Sequence, residues 1–202
     1  VNFYTTLSAA TLALGAALLG PGCAYTFQNS KNPLAEKEGI RRVYIASMMN
    51  GTYKPGVENL IYNAVQRALA AHGRVILVGR PEDADGLLQG TVEIAESQPG
   101  SPGLAERIDP VNRFERNRDI AAEYTAALRC SFSLLRREVV PGKRGVVWSG
   151  GFHRTKPFQT AFLNGIPGTT TALINDSEFD RILSELAVRV AEDLHESMLA
   201  VF

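Results

Sequence analysis

Ala122-Glu123-Tyr124-Thr125-Ala126-Ala127-Leu128-Arg129-Cys130-Ser131-Phe132-Ser133-Leu134 is the stretch on which the fold turns. Ala122, Tyr124, Ala126, Leu128, Cys130, Phe132 and Leu134 take alternate places, with Glu123, Thr125, Arg129, Ser131 and Ser133 between them. Successive side chains of a strand point to opposite faces, so this period of two gives one apolar and one polar face. Such a strand belongs in a sheet that is covered on one side only. Pro141-Gly142-Lys143-Arg144-Gly145 supplies turn residues, and Val146-Val147-Trp148-Ser149-Gly150-Gly151-Phe152 returns as the hairpin partner.

Working outward, Leu87 to Ile94 reads as a neighbouring strand, with Gly90 at its middle marking a bulge or the close approach of a packed helix. Val75-Ile76-Leu77-Val78 is a brief apolar strand, and Ile40 to Met48 is a β-branched and aromatic one. Asn50-Gly51-Thr52-Tyr53-Lys54-Pro55-Gly56 is turn chemistry. From Val57 the period becomes 3.6: Val57, Leu60, Ile61, Ala64, Val65, Ala68 and Leu69 form one helical face, which Gly73 closes. A second stripe, Phe179, Ile182, Leu183, Leu186, Val190, Leu194, Met198 and Val201, marks a long final helix with Asp176 or Ser177 as its cap. Residues 97 to 119, with Pro99, Pro102 and Pro110, read as one long loop. The order predicts an α+β two-layer sandwich: a mixed four- to five-stranded sheet with two helices packed on one face.

The start of the chain has a different character. From Val1 to Gly22 there is no Asp, Glu, Lys or Arg, and the apolar run Leu12 to Leu19 passes through Gly20-Pro21-Gly22 into Cys23. That order describes an export signal over 1–22 ending at a lipid-attachment cysteine, which would carry diacylglycerol and an N-acyl chain. The run of about a dozen residues falls short of the roughly 20 needed to span a bilayer. Gly20 stands where a lipobox usually has Leu, and no basic residue precedes the run. Residues 23–38 then form the lipidated N-terminus and a short tether, and 39–202 a single domain.

With 21 basic and 21 acidic residues in 202, the chain presents no bulk field for nucleic acid. Cys130 is the one cysteine after Cys23, so the domain has no internal disulfide, and its place in the alternating strand makes it a small buried hydrophobe. His72, His153 and His195 lack metal-ligand spacing and read as surface residues. No G-x-S-x-G elbow, P-loop or dinucleotide fingerprint occurs. These absences favour a binding protein over an enzyme, with no cofactor. What stands out is basic charge gathered in loops: Arg107, Arg113, Arg116 and Arg118 before the alternating strand, Arg154 and Lys156 after its partner, and Arg136, Arg137, Lys143 and Arg144 around the hairpin. Antiparallel pairing would bring Arg116 and Arg118 to the end of the sheet that holds Arg154 and Lys156, with the hairpin cluster at the opposite end. Such a patch can hold phosphates.

The layout resembles the lipopolysaccharide-assembly lipoprotein family LptE. The residues that carry the likeness are Gly22-Cys23-Ala24-Tyr25-Thr26-Phe27, Val43-Tyr44-Ile45-Ala46, Asn50-Gly51-Thr52 and Pro55-Gly56-Val57-Glu58. Ala84 to Val92, Ala122-Glu123-Tyr124, Val147-Trp148 and the long last helix complete it. The resemblance implies a non-enzymatic lipoprotein on the periplasmic face of the outer membrane, membrane-anchored by lipid. It would partner and plug the β-barrel LptD and bind lipopolysaccharide through loop cations. By position these are Arg118 with Arg116 beside it, and Lys156 or Arg154. A second class shares the opening strand and helix, namely small α/β periplasmic lipoproteins that activate peptidoglycan synthases or build secretion channels. For a synthase activator a longer tether than the roughly fifteen residues before Ile40 would be expected.

Overall fold

The computed structural model describes residues 32, 34–100, 102–105, 118–121, 123–138, 140–159 and 169–200. The predicted signal segment 1–22 and Cys23 lie outside them. Strands are β1 (Arg42–Ile45), β2 (Met49–Asn50), β3 (Ile76–Leu77), β4 (Gly86–Pro99), β5 (Pro102–Ala105), β6 (Arg118–Ala121), β7 (Glu123–Arg136) and β8 (Val146–Gln159). The long helices are α1 (Val57–His72) and α2 (Thr169–Ala200). The sheet runs β3-β1-β4-β7-β8 with β2 also beside β4, and β5 and β6 form a separate ribbon. β1 lies parallel to β3 and β4, and β2 is parallel to β4, whereas β4–β7 and β7–β8 are antiparallel. The architecture is therefore a mixed α+β sandwich.

The alternating strand behaves as its pattern requires. Ala126, Leu128, Cys130, Phe132 and Leu134 are buried, while Ser131 and Ser133 are half-buried and Arg129 is exposed. Phe132 pairs with Gly90 on one side and Gly150 on the other, so a large ring lies between two residues without side chains. A Cβ on Gly90 would come within 2.6 Å of both the Phe132 ring and Met48 Sδ. This glycine thus makes room for side chains of its own sheet layer, neither for a bulge nor for helix backbone. The bulge falls at the next turn of the pattern, where the β4–β7 register shifts between Val92 and Ile94.

Six strands appear where four to five were expected, because the run from Ile40 to Met48 divides. Ile45 pairs with Leu88 and Met49 with Thr91, so the first strand advances one residue more than β4 does. Met48, in that break, is buried beneath the helices. β4 continues beyond Ile94 to Pro99, and β5 and β6 occupy parts of the stretch expected to be loop. The last helix also starts earlier than Asp176, at Thr169. Nothing from Thr169 to Asn175 is Gly or Pro, so no breaker halts the helix before Gly168.

Both helices lie on the Leu88, Val92, Leu128, Cys130 and Leu134 side. Val57, Ile61, Ala64, Val65 and Leu69 of α1 join Ile182, Leu183, Leu186, Val190, Leu194 and Met198 of α2 in one core. α1 starts after Gly56, whose φ of 85° is a left-handed value, and ends at Gly73 with φ 60°. No side chain caps its first turn directly. Asn50 fixes the entry instead: its amide donates to the Lys54 carbonyl at 2.9 Å and to Glu58 at 2.8 Å. Its Oδ1 accepts the Thr52 N–H at 2.9 Å and hydroxyl at 2.8 Å. The Asn50-Gly51-Thr52 and Pro55-Gly56-Val57-Glu58 segments are thus one turn-and-helix entry.

Packing also reaches back into the stretch read as tether. Leu34–Glu38 forms a short π-helical turn, and Leu34 is fully buried. Cys130 is 1% exposed, and burial pushes its thiol up to about 12, as befits a packing residue. The histidines depart from expectation. His195 is buried and stacks on His72 with ring centroids 3.9 Å apart and 14° between planes. Spacing along the chain could not show this, because α1 and α2 bring together residues 123 positions apart only through their packing.

Candidate lipid-binding site

Arg154 and Lys156 stand on β8 opposite Leu128 and Ala126 of β7, on the side where the helices pack. They are two apart on one strand, so both point the same way. β7 is apolar at these rows, and the cations on the edge strand reach the polar flank of α2 instead. Asp193 of α2 meets Arg154 through two parallel bonds, Nε to Oδ2 at 2.7 Å and Nη2 to Oδ1 at 2.7 Å. The planar fork of arginine matches a carboxylate in this way. Lys156 donates to Glu185, about two helical turns before Asp193 on the same polar face. Glu185 also receives Arg181, whose guanidinium in turn bonds Glu178.

The electrostatics follow from these contacts. The hydrogen bond to Asp193 raises the Arg154 guanidinium, and the one from Lys156 holds the Glu185 carboxyl below its usual range. Arg154 keeps half its side chain exposed, and Lys156 about a third at 35%. Pairs of this exposure are worth little to stability and exchange partners readily. Farther along α2, Lys54 Nζ lies 3.1 Å from Asp176 and 2.6 Å from Asp180, and 5.4 Å above the Phe179 ring. The turn before α1 is thereby clamped to the N-terminal part of α2.

Of the four cations singled out, Arg154 and Lys156 are together and paired. Arg118 opens β6, where its backbone partner is Ala105. Arg116 lies outside the described residues, as do Arg107 and Arg113. The β7–β8 register runs from Glu123 opposite Gln159 to Leu135 opposite Val146, so the β6–β7 junction and the hairpin lie at opposite ends. The carboxylates Glu185 and Asp193 were not anticipated. They lie eight residues apart opposite the apolar stripe, a spacing legible in sequence, but their pairing with β8 depends on how α2 crosses the sheet.

A separate shallow hollow of about 320 Å³ opens on the bare face of the sheet where β1 and β2 part, lined by Ser47, Met49, Gln89, Thr91, Ser131 and Ser133 among others. It carries no charge. Among the described residues, no three His, Cys, Asp or Glu converge as a metal would require, and no helix is long and apolar enough to cross a membrane.

Comparison with known proteins places these features in context. The family model described as "LptE: Lipopolysaccharide-assembly" matches residues 40–198. No curated protein sequence matches the chain. Among solved structures, the rare lipoprotein B from Shewanella oneidensis is similar at 17% identity, with 80% of this chain and 96% of that one covered and a TM-score of 0.46. A PelC dodecamer from Paraburkholderia phytofirmans is similar at 17% identity, over 76% of this chain and 85% of that one, with a TM-score of 0.43. A minor lipoprotein from Acinetobacter baumannii follows at 13% identity, over 79% and 93%, with a TM-score of 0.41.

Proposed function

This chain belongs to the LptE lipopolysaccharide-assembly family, and we propose that it is an outer-membrane lipoprotein, anchored on the periplasmic face by acyl chains on Cys23. In this reading it partners and plugs an LptD-type β-barrel, binds lipopolysaccharide and catalyses nothing. The observation that carries it is the family match, which extends from just before β1 to the last turn of α2. The ion pairs on β8 suggest how the lipid is held. A phosphate presents the same bidentate oxygen pair as a carboxylate, so it can take Arg154 from Asp193 and Lys156 from Glu185 without leaving a bare cation. In this reading Arg118 and Arg116 contribute further positive charge to the site.

Affinity purification of the membrane-extracted protein, with its partner identified by mass spectrometry, tests the assembly reading. A large outer-membrane barrel at equal stoichiometry is expected; a peptidoglycan synthase, a secretion channel or no partner would overturn it. The lipid site has its own test. Arg118→Glu with Lys156→Glu should weaken lipopolysaccharide binding, whereas Glu185→Gln with Asp193→Asn should strengthen it by removing the competing carboxylates. A solvated rim would leave both variants at wild-type affinity.

A further inference from the structure

The hairpin between β7 and β8 has the makings of a membrane contact. Its tip is a tight turn: the Lys143 N–H donates to the Val140 carbonyl at 3.0 Å, and Gly142 has φ 81°. Pro141 followed by a left-handed glycine is the type II arrangement, so the tip is rigid. It holds Val140 out at 39% exposure, and Val146 at the base of the loop is 49% exposed. Between residues 136 and 146 four cations, Arg136, Arg137, Lys143 and Arg144, stand against one carboxylate, Glu138. Glu38 from the chain entry pairs with Arg136 and, at 3.7 Å, with Lys143. Arg136 is turned inward, but Arg137, Lys143 and Arg144 are exposed, and Arg144 has no ion-pair partner among the described residues.

The chain enters the fold at this same place. Lys143 Nζ donates to the Lys37 carbonyl at 2.9 Å, and Arg136 bonds Glu38 through both its carboxylate and its carbonyl. Eight residues lie between Cys23 and Asn32, and the nine steps span at most roughly 30 Å even when fully extended. A lipid on Cys23 therefore keeps the hairpin close to the bilayer. Apolar side chains set among Lys and Arg fit the interface of an anionic membrane, the apolar part entering the headgroup region while the cations meet phosphate.

The geometry points to the 137–146 hairpin as a second membrane contact that rests on anionic phospholipid beside the lipid anchor. The inference rests on the lipoprotein reading of Cys23, and the experiment separates the two. Full-length lipidated protein carrying Val140→Cys is labelled with an environment-sensitive fluorophore; Cys130, buried and weakly acidic, does not compete for the label. The protein is then reconstituted on vesicles of phosphatidylethanolamine with phosphatidylglycerol, or of phosphatidylcholine alone, both free of lipopolysaccharide. Blue-shifted emission, quenched by a bilayer-embedded quencher, is expected on the anionic vesicles. A label at Val188→Cys on the exposed side of α2 should show neither. Lys143→Glu with Arg144→Glu should weaken the contact on the order of a hundredfold. Emission equal to that of the α2 label on every vesicle, with the protein still co-sedimenting, overturns the hairpin contact and leaves the anchor intact. Failure to co-sediment with any vesicle overturns both.

Discussion

Basic residues mark both ends of the sheet, yet the two ends use them differently. At the end where the chain enters, Arg136 keeps 8% of its side chain exposed, lies 2.5 Å from Glu38 and donates to the Glu38 carbonyl at 2.7 Å. Nearby, Asp85 accepts the Arg41 and Arg42 N–H groups at 3.1 and 2.8 Å and binds the Arg42 guanidinium, joining β1 to the start of β4. Toward the other end, Arg154 and Lys156 pair with carboxylates of α2 and keep half and a third of their side chains exposed. Burial sets Arg136 apart from Arg154 and Lys156. The Arg42–Asp85 pair is as exposed as Arg154–Asp193, and it belongs to the fold through the backbone N–H groups that Asp85 also holds.

Three variants would break or sharpen that contrast. Arg136→Ala has the largest expected effect. It leaves Glu38 without its main partner in a half-buried position and should cost about 3 kcal/mol in a denaturant melt. A loss no greater than that of Arg154→Ala would erase the difference between the ends. Next comes the histidine stack between α1 and α2. Burial holds the His195 imidazole down to about 4, with His72 and Arg74 adding to the effect. The unfolded chain binds this proton near pH 6.5 and the folded protein only near 4, so stability falls as pH drops between those values. His195→Phe should flatten that acid slope by at most ~1.4 kcal/mol per pH unit while keeping the stack. An unchanged slope would mean that other groups set it. Smallest is Arg154→Ala combined with Asp193→Ala, which should leave the unfolding midpoint where it was. A marked loss would move this pair into the structural class.

The layers were legible in the sequence because both periods were clean. The alternation from Tyr124 to Leu134 and the stripes on the two helices needed no tertiary information to be read. What escaped depended on partners distant in the chain. β5 and β6 are four residues each and β5 opens on Pro102, so their pairing has no local signature. The break between β1 and β2 accompanies a contact of Met48 with Gly90, 42 positions away in the chain. At the candidate site the clustered cations were visible, but Arg154 and Lys156 lie within β8 and not in the loop expected after it, and the carboxylates that hold them were not foreseen. Nor did composition distinguish Arg136 from its neighbours, although one is buried and the others are solvated.

The position of β8 has one further consequence. Among the described strands it pairs only with β7, so its outer edge runs 14 residues with one side of its backbone unmatched. An edge of that length can recruit an extended segment of any neighbouring chain and seed aggregates. Pro157 removes one donor from that edge, and Arg154 and Lys156 place charge along it. The residues proposed to receive lipid thus also discourage self-association, and a variant that neutralised them would become less soluble as well as less able to bind.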